Sequence, residues 1–216
     1  MKHLKQSVAL LPLLFALGCA TTQSTSDAQP KRFDGIRSVM VAKNVAIPER
    51  PEVFGKTVAT GALIGGGLGA AAAQSNAPES AEFKKFLADN RIDVKEIVRQ
   101  EFMANLGATR AFPAVVAEGA DAYFDLTIQQ YGLGPTFSMS PIDKPLRPTL
   151  RVVAKLSTPD GKVLWENTEF ITALNGETEA HKIDAYYANP RLTEEQFRKV
   201  ARVVVKELLK NLGGNS

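Results

Sequence analysis

The chain has 216 residues, of which 44% are hydrophobic and 23% charged, the size and balance of one globular domain with a core of ordinary extent. Its 26 basic and 23 acidic residues leave a formal charge of +3, with no arginine-rich run or basic stripe, which excludes the electrostatic footprint of a nucleic-acid binder. A single cysteine excludes an intramolecular disulfide framework.

Residues 1–6 carry Lys2 and Lys5, residues 7–17 are apolar apart from Ser7 and the break at Pro12, and Gly18 and Cys19 follow. A cationic start, a short apolar run and a small residue at the cut describe an export signal. The run falls short of the roughly 20 apolar residues that a spanning helix needs. Loss of Lys2 and Lys5 with the signal takes the basic count from 26 to 24 against 23 acidic residues, and the net charge from +3 to +1.

The residues FALGC at 15–19 resemble the lipobox of bacterial lipoproteins, with Ala16 and Leu17 standing where that family usually has a leucine and then a small residue. The resemblance implies cleavage between Gly18 and Cys19, a thioether-linked diacylglycerol on Cys19 and a further acyl chain on its amine. Several chains at ~0.8 kcal/mol per buried CH₂ anchor a protein stably. Ala20 is not the aspartate linked to inner-membrane retention in enteric bacteria, so the resemblance implies the outer membrane, facing the periplasm. The expected organisation is a signal peptide at 1–18, a lipidated N-terminus and tether at 19–33, and one periplasmic domain at 34–216. Residues 20–31, ATTQSTSDAQPK, support the tether, because they hold too little apolar surface to offset the entropy of ordering them.

In chain order, Ile36 to Ile47 read as a strand rich in Val and Ile that ends before Pro48. Glu82 to Leu87 give a helical turn or two. Asp93 and Glu96 form a capping-box pattern ahead of Val94, Ile97, Val98, Phe102 and Leu106 at helical spacing, with Gly107 as the stop. Phe124, Leu126 and Ile128 alternate with Asp125, Thr127 and Gln129 across a strand from Tyr123 to Tyr131. A proline-bearing loop with Pro135, Pro141, Pro145 and Pro148 separates it from an alternating strand at Leu150 to Leu156. The turn at 157–162 then joins that strand to Val163–Thr172 as a hairpin. Thr193 and Gln196 suggest a second capping box, followed by the stripe Phe197, Val200, Ala201, Val204 and Leu208. Half-polar strands and two amphipathic helices predict an α+β two-layer domain, a mainly antiparallel sheet with both helices on one face. In element order alone this is similar to the curli-secretion and penicillin-binding-protein activator lipoproteins.

Residues 57–73, TVATGALIGGGLGAAAA, are rich in glycine and alanine. Gly65, Gly67 and Ala70 match a literal G-x-G-x-x-A with Asp89 beyond. Leu63 and Ile64 make too short a strand to support a dinucleotide site, and no phosphate-loop lysine follows. Two readings stay open. Gly61, Gly65 and Gly69 recur every four residues, as on a glycine-zipper helix that packs closely on a partner. Alternatively the segment is a low-complexity loop.

Catalytic candidates are few. His181 is the one histidine outside the signal, lies in the polar stretch GETEAHKID and reads as a solvated surface residue. No G-x-S-x-G elbow accompanies it. Glu177, Glu179 and Asp184 read as solvating acids, Trp165 as core, and Tyr186 with Tyr187 as a weak contact patch. No zinc cluster or calcium loop is present in the sequence. The expectation is therefore a non-catalytic, lipid-anchored envelope protein without cofactor or metal, held to the membrane at Cys19. It would bind a protein partner in the envelope as an assembly or transport accessory. The alternatives are a homo-oligomeric membrane-associated component packed through Gly61, Gly65 and Gly69, and a lipid-anchored hydrolase built on spatially assembled acids.

Overall fold

A computed structural model describes residues 33–54, 78–136, 145–210 and 212. Gly18, Cys19, the tether as far as residue 32, Gly61, Gly65 and Gly69 lie outside these residues, as does Pro141. In chain order the described elements are β1 (Ser38–Val41), β2 (Glu52–Val53), α1 (Pro78–Asp89), α2 (Val94–Thr109), β3 (Ala114–Val115), β4 (Ala122–Pro135), β5 (Leu146–Ser157), β6 (Val163–Ile171), α3 (Ile183–Ala188) and α4 (Pro190–Leu209). The fold is α+β, a mixed sheet with a helical layer.

The sheet runs β3-β1-β4-β5-β6, with β2 also pairing β4. Its long pairings, β4 with β5 and β5 with β6, are antiparallel as the hairpin pattern predicts. The short strands β1 and β2 both lie parallel to β4, at its start (Val39 opposite Ala122) and at its end (Glu52 opposite Gly132). Between them Ala46 makes an isolated bridge to Thr127. Ile36–Ile47 is thus one four-residue strand and a single bridge, followed by Pro48 and Pro51, which cannot donate to a ladder.

Side chains on one face of the sheet are buried: Phe124, Leu126 and Ile128 of β4, Leu150, Val152, Ala154 and Leu156 of β5, and Trp165 of β6. The helices α2 and α4 cover that face. A register shift between Ile128 and Gln130 inserts one extra residue. The buried set therefore jumps from even positions to Tyr131 and Leu133. β4 also continues beyond Tyr131, through Gly132 and Gly134. At Gly132, with φ +151, an added Cβ would stand 1.9 Å from the Glu52 carbonyl oxygen, so only glycine lets β2 approach this closely.

Helix α2 is capped as the sequence predicts: the Asp93 side chain accepts from the N–H groups of Lys95 and Glu96 at 2.9 and 3.3 Å. Its stop differs. Gly107 lies inside the helix, which runs to Thr109 and ends at Arg110 in the left-handed region, φ 53. Helix α4 starts earlier than the Thr193–Gln196 pattern implies. Asn189 is the cap, accepting from Leu192 N–H at 3.1 Å, with Pro190 in the first turn where its missing N–H costs nothing. Thr193 instead donates to the Tyr186 carbonyl at 2.8 Å. Gln196 accepts from Glu179 N–H at 3.2 Å. The expected turn at Glu82–Leu87 is a full helix, α1, and α3 was not expected. Phe83 and Phe86 of α1 pack around Tyr187 of α3, and Phe83 reaches Phe197 of α4.

Two hydrogen-bonded necks lie near the far end of β4. Val53 N–H donates to the Ser80 hydroxyl at 3.3 Å, joining the residues on either side of segment 55–77. Thr136 gives both its N–H and its hydroxyl to the Pro145 carbonyl, at 3.1 and 2.9 Å.

Between the helices, Glu101 of α2 has a side chain only 9% exposed and receives Arg202 of α4 through two bonds of 3.1 and 3.2 Å. Arg202 is itself 60% exposed and can return to water when its partner is removed. Glu101→Ala should therefore cost about 1.5–3 kcal/mol, the range for hydrogen bonds to charged groups, not the larger penalty of a stranded buried ion. A double-mutant cycle with Arg202→Ala in urea measures this. A coupling indistinguishable from zero would mean the pair contributes packing alone.

At the start of the sheet, Asp121 accepts from the N–H groups of Arg37 and Ser38 at 2.9 Å each and from the Ser38 hydroxyl at 3.0 Å. These bonds, the Arg37 N–H first among them, hold its carboxyl below the ordinary aspartate value. The stability it contributes is complete above that ordinary value and is lost as pH falls through the lower value of the folded state. Asp121→Asn is expected to lower the urea midpoint at pH 7 and to make the acid limb below about pH 4 shallower than in wild type.

Candidate functional site

The face of the sheet turned away from α2 and α4 carries the side chains that alternate with the core. Its cross-strand rows follow from the register. Asp125, Lys155 and Glu166 form one row, and Thr127, Val153 and Thr168 the next. Beyond the bulge Gln130, Arg151 and Phe170 form a third. Opposite charges face one another in the first row, the arrangement that stabilises neighbouring strands.

The third row extends onto β2. Gln130 donates its side-chain amide to Glu52 Oε2 at 2.6 Å, and the Arg151 guanidinium lies 4.3 Å from the centre of the Phe170 ring. That separation is within the range of a cation–π attraction. Burial raises the Glu52 carboxyl above the ordinary glutamate value, and the Gln130 bond and the Arg151 charge oppose that rise. A partly desolvated carboxylate, an amide, a guanidinium and an aromatic ring thus stand in line across four strands. Such a row can recognise polar and charged groups on another surface.

Strict alternation from Phe124 would put Gln130 in the core. The extra residue at the bulge turns it onto the open face beside Glu52. The sequence signals for this row were only the polarity of Gln130 and the placement of Glu52 just before the valine and phenylalanine of β2. Neither reveals the pairing.

The candidates raised from the sequence are dispersed. His181 is held by its backbone, which exchanges two hydrogen bonds with Leu146 at 2.7 and 3.0 Å. Its side chain is 24% exposed, not solvated as expected, and its ring stands edge-on to Tyr186 at 5.7 Å. Its Nε2 lies 3.7 Å from Glu179, which accepts from Lys199 at 2.9 Å. That bond and the Lys199 charge hold the Glu179 carboxyl below its ordinary value. His181 thus serves as a pin between strand and helix. Glu177 and Asp184 are exposed. Among the described residues no three His, Cys, Asp or Glu side chains gather as a metal-binding group.

Trp165 is in the core, edge-on to Phe124 at 5.9 Å. Tyr186 and Tyr187 do not form a surface patch. Tyr186 is fully buried with its hydroxyl on the Leu146 carbonyl at 3.0 Å, and burial drives its phenol far above the usual range. Tyr187 is half-buried against Phe86 at 5.2 Å, and burial pushes its phenol up to about 12. Adjacent residues on a helix diverge by about 100°, so one tyrosine enters the strand end and the other meets α1.

No protein-family model and no curated protein matches the chain. Among solved structures it is similar to the protein XCC0632 from Xanthomonas campestris, of the DUF330 family, at 12% identity over 84% of this chain and 86% of that one, with a TM-score of 0.44. It is also similar to PelC from Paraburkholderia phytofirmans, solved as a dodecamer, at 12% identity over 86% of this chain and 91% of that one, with a TM-score of 0.37. Among the described residues no helix is long and apolar enough to cross a membrane.

Tyr186→Phe removes one buried hydrogen bond and leaves the Leu146 carbonyl with its His181 partner. The expected cost is about 1 kcal/mol. Faster hydrogen exchange at the Leu146 and His181 amides should accompany it, and an unchanged denaturation midpoint would show that the hydroxyl contributes nothing.

Proposed function

We propose that this chain is a lipid-anchored, non-catalytic accessory protein of the bacterial envelope. Acyl chains on Cys19 hold its α+β domain at the outer membrane on the periplasmic side, where it binds another envelope component. The observation that carries the reading is the sequence FALGC at 15–19, behind a cationic start and an apolar run and ahead of a polar stretch. The polar stretch precedes the first strand, β1, which fits a tether ahead of a folded domain.

The character of the domain supports a binding role. Cysteine and histidine are sparse in the sequence, and the one histidine beyond the signal is occupied in holding β5 to the segment before α3. The open face of the sheet offers rows of mixed charge and the line Glu52, Gln130, Arg151 and Phe170. That is the chemistry of a polar protein–protein contact, in which Arg and aromatic side chains carry most of the affinity.

The test is metabolic labelling with a fatty-acid analogue in a diderm bacterium, followed by separation of inner and outer membranes. Wild type should take up label and fractionate with the outer membrane. Cys19→Ser should lose the label, remain uncleaved between residues 18 and 19, and leave the outer-membrane fraction. An unlabelled wild-type chain, or a Cys19→Ser form still processed and retained there, would overturn the proposal.

A further inference from the structure

Strand β6 ends the sheet: β5 pairs with one of its sides, and among the described residues no strand pairs with the other. A nine-residue open edge is a template for adding a strand, and soluble proteins obstruct such edges. Which groups face outward follows from the ladder. Leu146 exchanges both of its backbone bonds with His181 on the β6 side. In an antiparallel pair such positions alternate, so the even-numbered residues of β5 turn their N–H and C=O groups toward β6. Their partners are Trp165, Asn167, Glu169 and Ile171. The backbone groups of Glu166, Thr168 and Phe170 therefore face the open edge.

At the middle of that edge, Thr168 N–H donates to Oδ1 of Asn167 at 2.9 Å. The same Asn167 side chain donates from Nδ2 to the carbonyl of Leu208 at 2.9 Å, in the last turn of α4. One amide thus satisfies the central outward donor of the strand and one of the helix-end carbonyls that lack an intrahelical partner. It is tied at both ends.

The edge it obstructs is complementary to itself. Antiparallel pairing of two β6 strands about Asn167 sets Glu166 opposite Thr168 and Trp165 opposite Glu169. The outward groups of Glu166 and Thr168 then meet one another, and no two like charges stand opposite. We propose that Asn167 is an edge plug, which occupies the Thr168 N–H and so keeps β6 from pairing with β6 of a second copy of this chain.

The experiment compares the full chain and its Asn167→Ala variant in detergent micelles by light scattering over a hundredfold range of protein concentration. The variant should double in protein mass relative to wild type as concentration rises. Adding Thr168→Pro to the variant should return it to the wild-type mass, because proline deletes the outward N–H without touching the β5 ladder. An Asn167→Ala chain that keeps the wild-type mass throughout, or a doubled mass that survives Thr168→Pro, would overturn the proposal. Hydrogen exchange on the wild-type chain decides the matter should the variant fail to fold. The Thr168 amide should exchange at least tenfold more slowly than that of Glu166, and equal rates at the two would overturn the plug.

Discussion

The ring of Phe124 is where the layers of this domain are joined. It meets Phe102 of α2 at 5.1 Å, Phe112 ahead of β3 at 5.9 Å and Trp165 of β6 at 5.9 Å, each at a steep angle. Edge-to-face aromatic pairs contribute beyond the area they bury, and here three of them share one ring. Because Phe124 sits in β4, it ties the parallel flank of the sheet to its antiparallel flank. Because Phe102 projects from α2, it also fixes the height of the helical layer. The Glu101–Arg202 bonds then align α4 beside α2 at the outer rim of the same interface.

That junction was largely legible from the residues. Phe124, Leu126 and Ile128 alternate as a half-covered strand must, and Phe102 and Leu106 fall on the buried stripe of an amphipathic helix. Asp93 announced its helix through the hydrogen bonds it makes. What escaped were features decided by partners distant in sequence. Gly132 and Gly134 look like a loop until β2 is laid against them. Thr193 and Gln196 look like a cap until Tyr186 and Glu179 claim their side chains. The continuation of β4 through two glycines and a proline, and the shift of side-chain parity at its bulge, depend on neighbours eighty residues away. No local pattern carries that information.

The contrast between the two faces of the sheet bears on what the domain does. One face is committed to the helices, and its polar exception Asn167 is bonded to the Leu208 carbonyl at the end of α4. The other retains alternating charges and the Glu52–Gln130–Arg151–Phe170 line. A domain of this construction presents a stiff, polar plane whose features are set by strand register, so their spacing does not depend on loop conformation. Under the proposed function, this suits a component that recognises another surface in the envelope.

The hydrogen bond from Val53 to Ser80 has a consequence for how the molecule tolerates change. It closes the chain on either side of residues 55–77, so β2 and α1 keep their separation whatever runs between them. The two elements are thus pinned to each other directly, through a buried backbone donor, at the edge of the helical layer.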